Sequence, residues 1–352
     1  MFKYFIRFIS FSSIVWLISY GLYVVPIVYY LSLIGYFTPF YIQILVSILI
    51  AGLIFIYLQT KITFFPLKFF VYFGMAVGFY GLILSIIVFI SSFIISPNYG
   101  VLFLPIALLA ILTYGYLNSR KIYLKKIEIS TKKKMGSQRL AFISDVHLGS
   151  QSISHLSDIL SLIRDQNVDA ILIGGDLIDS SSFNLDELEI LKLESIPIFY
   201  VTGNHEYYLK DSVNKIKALN KVNISNIDNK SVEFNNIKLI GLGDNQSINQ
   251  KNKYLNSLSH NDLFTILLVH KPSLWPDAKK YSDLMLSGHT HAGQLFPFHY
   301  LVKLQFPYYY GLYKKDDSYA YVSSGCGCWG PRLRIGSQNE IVIIDINKND
   351  DK

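Results

Sequence analysis

Ser144-Asp145-Val146-His147, Gly174-Gly175-Asp176, Gly203-Asn204-His205-Glu206, Leu268-Val269-His270 and Gly288-His289-Thr290-His291 punctuate the stretch from Ile143 to His291. Four of these pieces follow an apolar run that reads as a buried strand; the fifth, Gly288 to His291, follows the short run Leu284 to Ser287. Together they hold two aspartates, one asparagine and five histidines. That is enough oxygen and nitrogen donors for two metal ions, with one histidine left for proton transfer.

The sequence around these pieces alternates strand and helix at short intervals. Strands are expected at 139–144, 170–173 and 198–201, and helices at 153–164, 186–193 and 211–219. Such alternation argues for parallel βαβ units. Residues 232–242 read as a hairpin with Asn235-Asn236 at its turn. Further strands are expected at 264–269, 284–287, 319–323 and 341–346. Two sheets packed face to face, with helices outside, accommodate this order.

In open α/β sheets, ligands collect beyond the carboxyl ends of strands. Asp145 and His147, Asp176, Asn204 and His205, His270, and His289 with His291 all fall at such positions. Asp-x-His and His-x-His each put two donors on one side of an extended segment. The preceding glycines permit tight turns and close backbone approach. A mixed carboxylate, amide and imidazole set suits borderline divalent ions such as manganese, iron or zinc. Any one piece alone is more often a turn or a satisfied buried histidine; the signal is all five in this order.

The rest of the chain is different in kind. Of 352 residues, 51% are apolar and only 16% charged, a low charge share for a soluble protein. The imbalance is local: 8–60 and 69–119 contain no Asp, Glu, Lys or Arg. A crossing helix needs about 20 apolar residues. Four fit, near 8–30, 39–58, 69–95 and 101–117, with Pro26 and Pro105 inside spans. No acidic residue or histidine lies within any span, so an ion pathway has no support and an anchor is the plainer reading. A long apolar run without a small-x-small cleavage site argues against a signal peptide.

Lys3 and Arg7, then Lys61 and Lys68, then Arg120, Lys121, Lys125 and Lys126 flank the spans on one side only. The positive-inside rule then puts both termini, and the polar half, in the cytoplasm. The expected division is 1–119 as a transmembrane region, 120–138 as a basic connector and 139–352 as the polar domain. Lys132-Lys133-Lys134 could rest on anionic headgroups or be a solvated linker. The net charge of +7 is accounted for by these flanks and is no nucleic-acid signal. Cys326 and Cys328 are too close to pair readily, and two thiolates alone do not make a zinc site.

From about Arg139 to Ile346 the chain resembles a calcineurin-like metallophosphoesterase. That family carries Asp-x-His, Gly-Asp, Gly-Asn-His-Glu/Asp, a lone His after a strand, and Gly-His-x-His. A bacterial membrane-associated branch is resembled further through His270-Lys271-Pro272, the run Gly288 to Gln294, and Gly325-x-Gly327-x-Trp329-Gly330-Pro331. Ala292, where the family often has glycine, is a small departure.

The resemblance implies an α/β fold: a four-helix transmembrane region followed by a two-sheet β-sandwich flanked by helices. It implies that Asp145, His147 and His291 hold one divalent ion, that Asn204, His270 and His289 hold a second, and that Asp176 bridges both. Manganese is the expected metal, with iron, zinc or magnesium as alternatives. His205 would not ligate; it would protonate the leaving group, while Asn204 would help offset phosphoryl charge. The catalytic set is thus His205, Asp176 and Asn204. The implied reaction is hydrolysis of a phosphoester, as a phosphodiesterase or pyrophosphohydrolase, by a water that the metals activate.

An anchored enzyme suits a substrate confined to the same surface, which points to a phospholipid or lipid-linked nucleotide. A non-catalytic membrane scaffold or sensor with a metal-bound domain is the alternative. The remaining histidines, His155, His260 and His299, read as surface or packing residues. Arg332 and Arg334 are possible phosphate contacts. The aromatic run 299–313 could pack under the 325 loop or dip into a bilayer.

Overall fold

The computed structural model describes residues 2–60, 64–133, 135–258 and 262–348. It divides into two compact units, Met1–Tyr116 and Leu117–Lys352.

The first unit contains four helices long and apolar enough to cross a membrane: Ser10–Leu33, Phe40–Leu58, Pro66–Ser91 and Pro97–Ser119. The first is α1 (Phe2–Ser19), a π turn at Tyr20–Val24 and α2 (Val25–Leu33). Pro26 explains the π turn. It lacks an N–H and its ring crowds the preceding turn, so the helix widens just before it. Helices α3 (Phe40–Thr60), α4 (Phe65–Ser91) and α5 (Gly100–Ser119) follow. The few polar side chains among the spans satisfy one another or backbone. Trp16 Nε1 donates to Ser47 Oγ at 2.8 Å, Tyr20 Oη to Gln43 Oε1 at 2.9 Å, and Tyr23 Oη to the Val71 carbonyl at 2.7 Å. In hydrocarbon these contacts remove the cost of an unpaired polar group.

The second unit is built on two six-stranded sheets. One has the order β1 (Ile122–Thr131), β12 (Asn339–Lys348), β2 (Gln138–Ile143), β3 (Ala170–Ile173), β4 (Ile198–Tyr200), β5 (Ile224–Asn226). The other has the order β10 (Gly311–Lys315), β11 (Ser318–Val322), β9 (Leu284–Ser287), β8 (Phe264–Val269), β7 (Ile237–Leu242), β6 (Lys230–Phe234). Strands β2 to β5 run parallel, as do β7, β8, β9 and β11. The β6–β7 hairpin turns at Asn235 and Asn236, both left-handed, with φ of 48° and 62°.

Between the sheets lies a core that includes Leu140, Phe142, Leu172, Leu239, Ile266, Leu286, Tyr321 and Ile344, all buried. Each aliphatic side chain buried there contributes roughly 1.5–3 kcal/mol. On the outer face of the first sheet, α6 (Ile153–Arg164) buries Leu156, Ile159, Leu160 and Ile163, the i, i+3, i+4, i+7 stripe of one helix face. Helices α7 (Asn204–Tyr208) and α8 (Ser212–Leu219), with a 3-10 stretch at Leu185–Leu193, complete the crossovers. Helices α9 (Ile248–Ser257) and α10 (Trp275–Ala278) belong to the second sheet, whose outer core centres on Trp275. Helix α11 (His299–Gln305) follows β9.

Two expectations change. Residues 120–138 are not simply a connector: β1 occupies 122–131 and pairs in parallel with all of β12. Its charges sit on the exposed face, while Ile127, Ile129 and Thr131 alternate into the core. Lys133 does not reach for headgroups but pairs with Asp283 at 2.7 Å; Lys134 lies outside the described residues. The aromatic run 299–313, expected to pack under the 325 loop or dip into a bilayer, consists of α11, the connection 306–310 and the start of β10.

Candidate metal centre

The carboxyl ends of β2, β3, β4, β8 and β9 meet at one edge, where the two sheets face each other. Every sequence-predicted site residue is brought there. Asp145, His147, Asp176, His289 and His291 all have left-handed backbone, with φ between 50° and 73°. Five such non-glycine residues in one site is strain held by the surrounding fold, and it turns each side chain off its strand into the same space. Close approach explains two of the glycines. A Cβ on Gly203 would collide with the Asp176 carboxylate, and one on Gly288 with Ser144 Oγ and Asp145 Oδ2.

Two donor clusters result. In the first, His291 Nε2 lies 3.4 Å from Asp145 Oδ1 and 3.1 Å from His147 Nε2. In the second, His270 Nε2 lies 3.1 Å from Asp176 Oδ2 and 3.2 Å from His289 Nδ1. Asp176 joins them, because the same Oδ2 is 4.0 Å from His147 Nε2 and 4.0 Å from His205 Nε2. Asp145, His147 and His291 form one group able to hold a metal ion, Asp176, His270 and His289 another, and His147, Asp179 and His205 a third that shares His147 with the first.

The donors fit cations on physical grounds. Imidazole nitrogens facing each other at 3.1–3.2 Å need a proton or a cation between their lone pairs. Asn204 Oδ1 is buried with no hydrogen-bond partner. An orphaned buried acceptor costs about 1–3 kcal/mol unless something electropositive meets it. Burial pushes His289 down to about 2 and His291 well below its ordinary range, which keeps both imidazoles neutral, as ligation requires. Burial also opposes the charge on His270, but the Asp176 carboxylate overrides it and lifts that group to about 10. Without metal, Asp176 and His270 are an ion pair.

Groups other than the donors hold this arrangement. Asp179 Oδ2 lies 3.5 Å from His147 Nδ1, leaving Nε2 to face inward, and Asp179 Oδ1 accepts the Ser150 N–H at 2.9 Å. The Gly174 carbonyl meets His270 Nδ1 at 2.8 Å and fixes that ring in the same way. Glu206 accepts backbone N–H groups of Gly203, Ile178 and Asp176 at 2.8–3.1 Å, tying the β3 and β4 loops together. Asp179 escaped sequence reasoning; its signal was the spacing Gly175-Asp176-x-x-Asp179.

Arg334 is not a phosphate contact. It is fully buried and donates to the carbonyls of His291, Ser324 and Gly327 at 2.5–2.8 Å, and it also faces His291 Nδ1 at 3.3 Å. Arg332 donates to the Ser150 carbonyl at 3.0 Å. Cys326 and Cys328 are free and buried, and burial pushes both thiols up, so they pack beneath the site rather than react. His155 Nε2 meets the Cys326 carbonyl at 2.7 Å and is a packing residue; His260 lies outside the described residues.

His205 lies on the outer side of the two clusters, within reach of His147 and Asp179. Its ring is edge-on to His147 at 4.7 Å and lies 5.3 Å from Tyr208 and 6.0 Å from Trp329, both half-exposed at the mouth. Burial pushes it down to about 4. Its backbone N–H donates to Asp176 Oδ1 at 2.8 Å.

Comparison with known proteins agrees with this geometry. Residues 138–293 match the family model described as calcineurin-like phosphoesterase. An uncharacterized metallophosphoesterase of Campylobacter jejuni is 34% identical over 259 residues, covering 68% of each chain. The chain belongs to the calcineurin-like phosphoesterase family. An Aquifex aeolicus metallophosphoesterase is 32% identical over 66% of this chain and 95% of its own length. A Danio rerio transmembrane protein with metallophosphoesterase domain is 32% identical over 62% of this chain, but only 56% of its own length is covered. Membership implies a phosphoester substrate and divalent metal ions, and the two His/Asp clusters are where this member of the family could bind them.

Proposed function

We propose that this chain is a membrane-anchored, two-metal phosphoesterase acting as a phosphodiesterase or pyrophosphohydrolase. The observation that carries the reading is the position of Asp176 Oδ2, 3.1 Å from His270 Nε2 and 4.0 Å from His147 Nε2. One carboxylate thus links two donor sets drawn from five strand ends.

Asp145, His147 and His291 would hold one ion; Asn204, His270 and His289 a second; Asp176 would serve both. When bound, the cations, with manganese preferred, supply Lewis acidity to the phosphoryl group and to the attacking water. The protein's own part is placement. Asp179, Gly174 and Arg334 lock the imidazoles, and Glu206 locks the loops that carry Asp176 and Asn204. His205 lies at the open side of the site without being needed as a ligand. It donates the proton to the departing oxygen, a role worth about 10²–10⁴-fold in such reactions.

The basic flanks support a cytoplasmic side for both termini and the phosphoesterase domain, at a bacterial inner membrane. A phospholipid or lipid-linked nucleotide fits that placement. The test is hydrolysis of bis-p-nitrophenyl phosphate by the full-length protein with manganese. Turnover that chelator abolishes and manganese restores is the expected result. A pure, manganese-loaded protein with no turnover on this or on nucleotide and lipid phosphoesters would favour the scaffold reading.

A further inference from the structure

Phe296, Phe298, Tyr300, Leu301 and Leu304, on α11 and the segment leading into it, are all exposed, with Leu301 58% and Leu304 82% accessible. A contiguous apolar patch on a water-soluble domain marks a partner surface. Its chemistry can be read from what it adjoins.

The lead-in to α11 is fastened to 332–337. Phe296 N–H donates to the Ile335 carbonyl at 2.7 Å, and Ile335 N–H to the Gln294 carbonyl at 3.0 Å. The same short segment receives Asn118 and Ser119, which open the second unit directly after the last long apolar run of the sequence. Asn118 Nδ2 donates to the carbonyls of Arg334 and Ser337 at 3.0 Å, and Ser119 Oγ to that of Arg332 at 3.1 Å. Asn339 Nδ2 donates back to the Ser119 carbonyl at 2.6 Å. Two strand-like steps therefore separate Asn118 and Ser119 from Phe296, on the order of 10 Å. That is the scale of the headgroup layer, since the polar zones add roughly 10–15 Å to a hydrocarbon core of about 30 Å.

Charge agrees. The segments that meet here, 117–122, 294–310 and 329–339, contain no Asp or Glu but carry Arg120, Lys121, Lys303 and Arg332. Exposed apolar side chains with cations beside them match an anionic bilayer surface. The patch also borders the donor clusters. Phe306 lies 5.3 Å from the His289 ring, the Tyr309 carbonyl accepts from Thr290 Oγ at 2.5 Å, and Gln294 Nε2 donates to the Trp329 carbonyl at 2.8 Å.

We propose that Phe296 to Leu304 lies on the bilayer as an interfacial element, with its apolar side chains at the boundary of headgroups and acyl chains. The site beside it then takes phosphoesters from the headgroup layer. The second statement rests on the proposed hydrolase; the first does not.

The experiment uses the full-length chain in vesicles of phosphatidylethanolamine and phosphatidylglycerol. Leu304→Cys carries a nitroxide, and Leu193→Cys, at a position 74% exposed beyond the first sheet, carries the control label. The native thiols are buried and stay unlabelled. Collisions with oxygen should exceed those with a water-soluble nickel chelate at 304, and the reverse should hold at 193. A label at 304 that behaves like the one at 193 overturns the docking and leaves the patch to a protein partner. For the substrate class, Leu301→Ser with Leu304→Ser should slow cleavage of a vesicle-borne phosphodiester by about tenfold or more, as lost interfacial anchoring predicts, and change that of bis-p-nitrophenyl phosphate less than about twofold. Equal losses on both, or a wild type that cleaves only the soluble compound, overturn it. A wild type that cleaves neither sinks the hydrolase reading, while the nitroxide depth still decides the docking.

Discussion

At the carboxyl ends of β8 and β9, His270 and His289 turn ring nitrogens toward each other at 3.2 Å, buried. At the opposite ends of these strands lies a cavity of about 370 Å³, lined by Lys133, Lys238, Lys279, Asp283 and Asp316 among others. There the charges match. Lys133 sits 2.7 Å from Asp283 and also donates to the Leu263 carbonyl, and Lys279 pairs with Asp316 at 2.5 Å. One end crowds imidazoles facing each other and an unpartnered Asn204 Oδ1; the other joins two lysines to two aspartates. The lysine-lined cavity is therefore structural. The strained, crowded end is the one that calls for a cation.

That contrast can be broken most directly at Asp176. Asp176→Asn should lose metal and activity together, activity by about 10³-fold or more, the scale of removing a principal electrostatic element. Metal analysis of the purified variant checks it; full metal content with normal turnover would dissolve the link between the clusters. His205→Ala should keep its metal and lose about 10²–10⁴-fold on substrates with poor leaving groups, much less on p-nitrophenyl esters. Metal loss there would move His205 among the ligands.

Asp179→Asn sharpens the comparison between the clusters themselves. It should weaken one of two metal-binding steps about 10–100-fold, by freeing the His147 ring, and leave the other unchanged in a calorimetric titration. At the matched end, Lys133→Met should cost about 1 kcal/mol of stability and leave turnover unaltered, since it breaks a half-exposed pair far from the donors. The smallest effect concerns acid. Burial, aided by Arg332, holds His155 below its ordinary value of 6.5. The unfolded chain then binds a proton more readily, so His155 adds stability above about pH 6.5 that is lost as pH falls. His155→Gln should flatten that acid limb in metal-free denaturation curves.

Much of this was legible in the chain. An apolar run ending in glycine and a polar donor is visible without coordinates, because a buried strand must be apolar and its end must turn. The four spans were legible for the same reason, being long runs without charge. Strand β1 was not, because an edge strand is half exposed and its Lys125, Lys126 and Glu128 hide the alternation of Ile127, Ile129 and Thr131. Arg334 was misread because a lone arginine near a phosphate site and an arginine buried among carbonyls have the same letter.

By itself the sequence determined the donors, their order, and the division into an apolar and a polar half, since each follows from composition over a few neighbouring residues. Only the tertiary structure decided that Asp179 and Arg334 steady the imidazoles, that Asp176 lies between both clusters, and that the lead-in to α11 shares a segment with Asn118 and Ser119. Those are contacts between residues up to about two hundred positions apart, set by how sheets stack and loops close, and no local pattern encodes them.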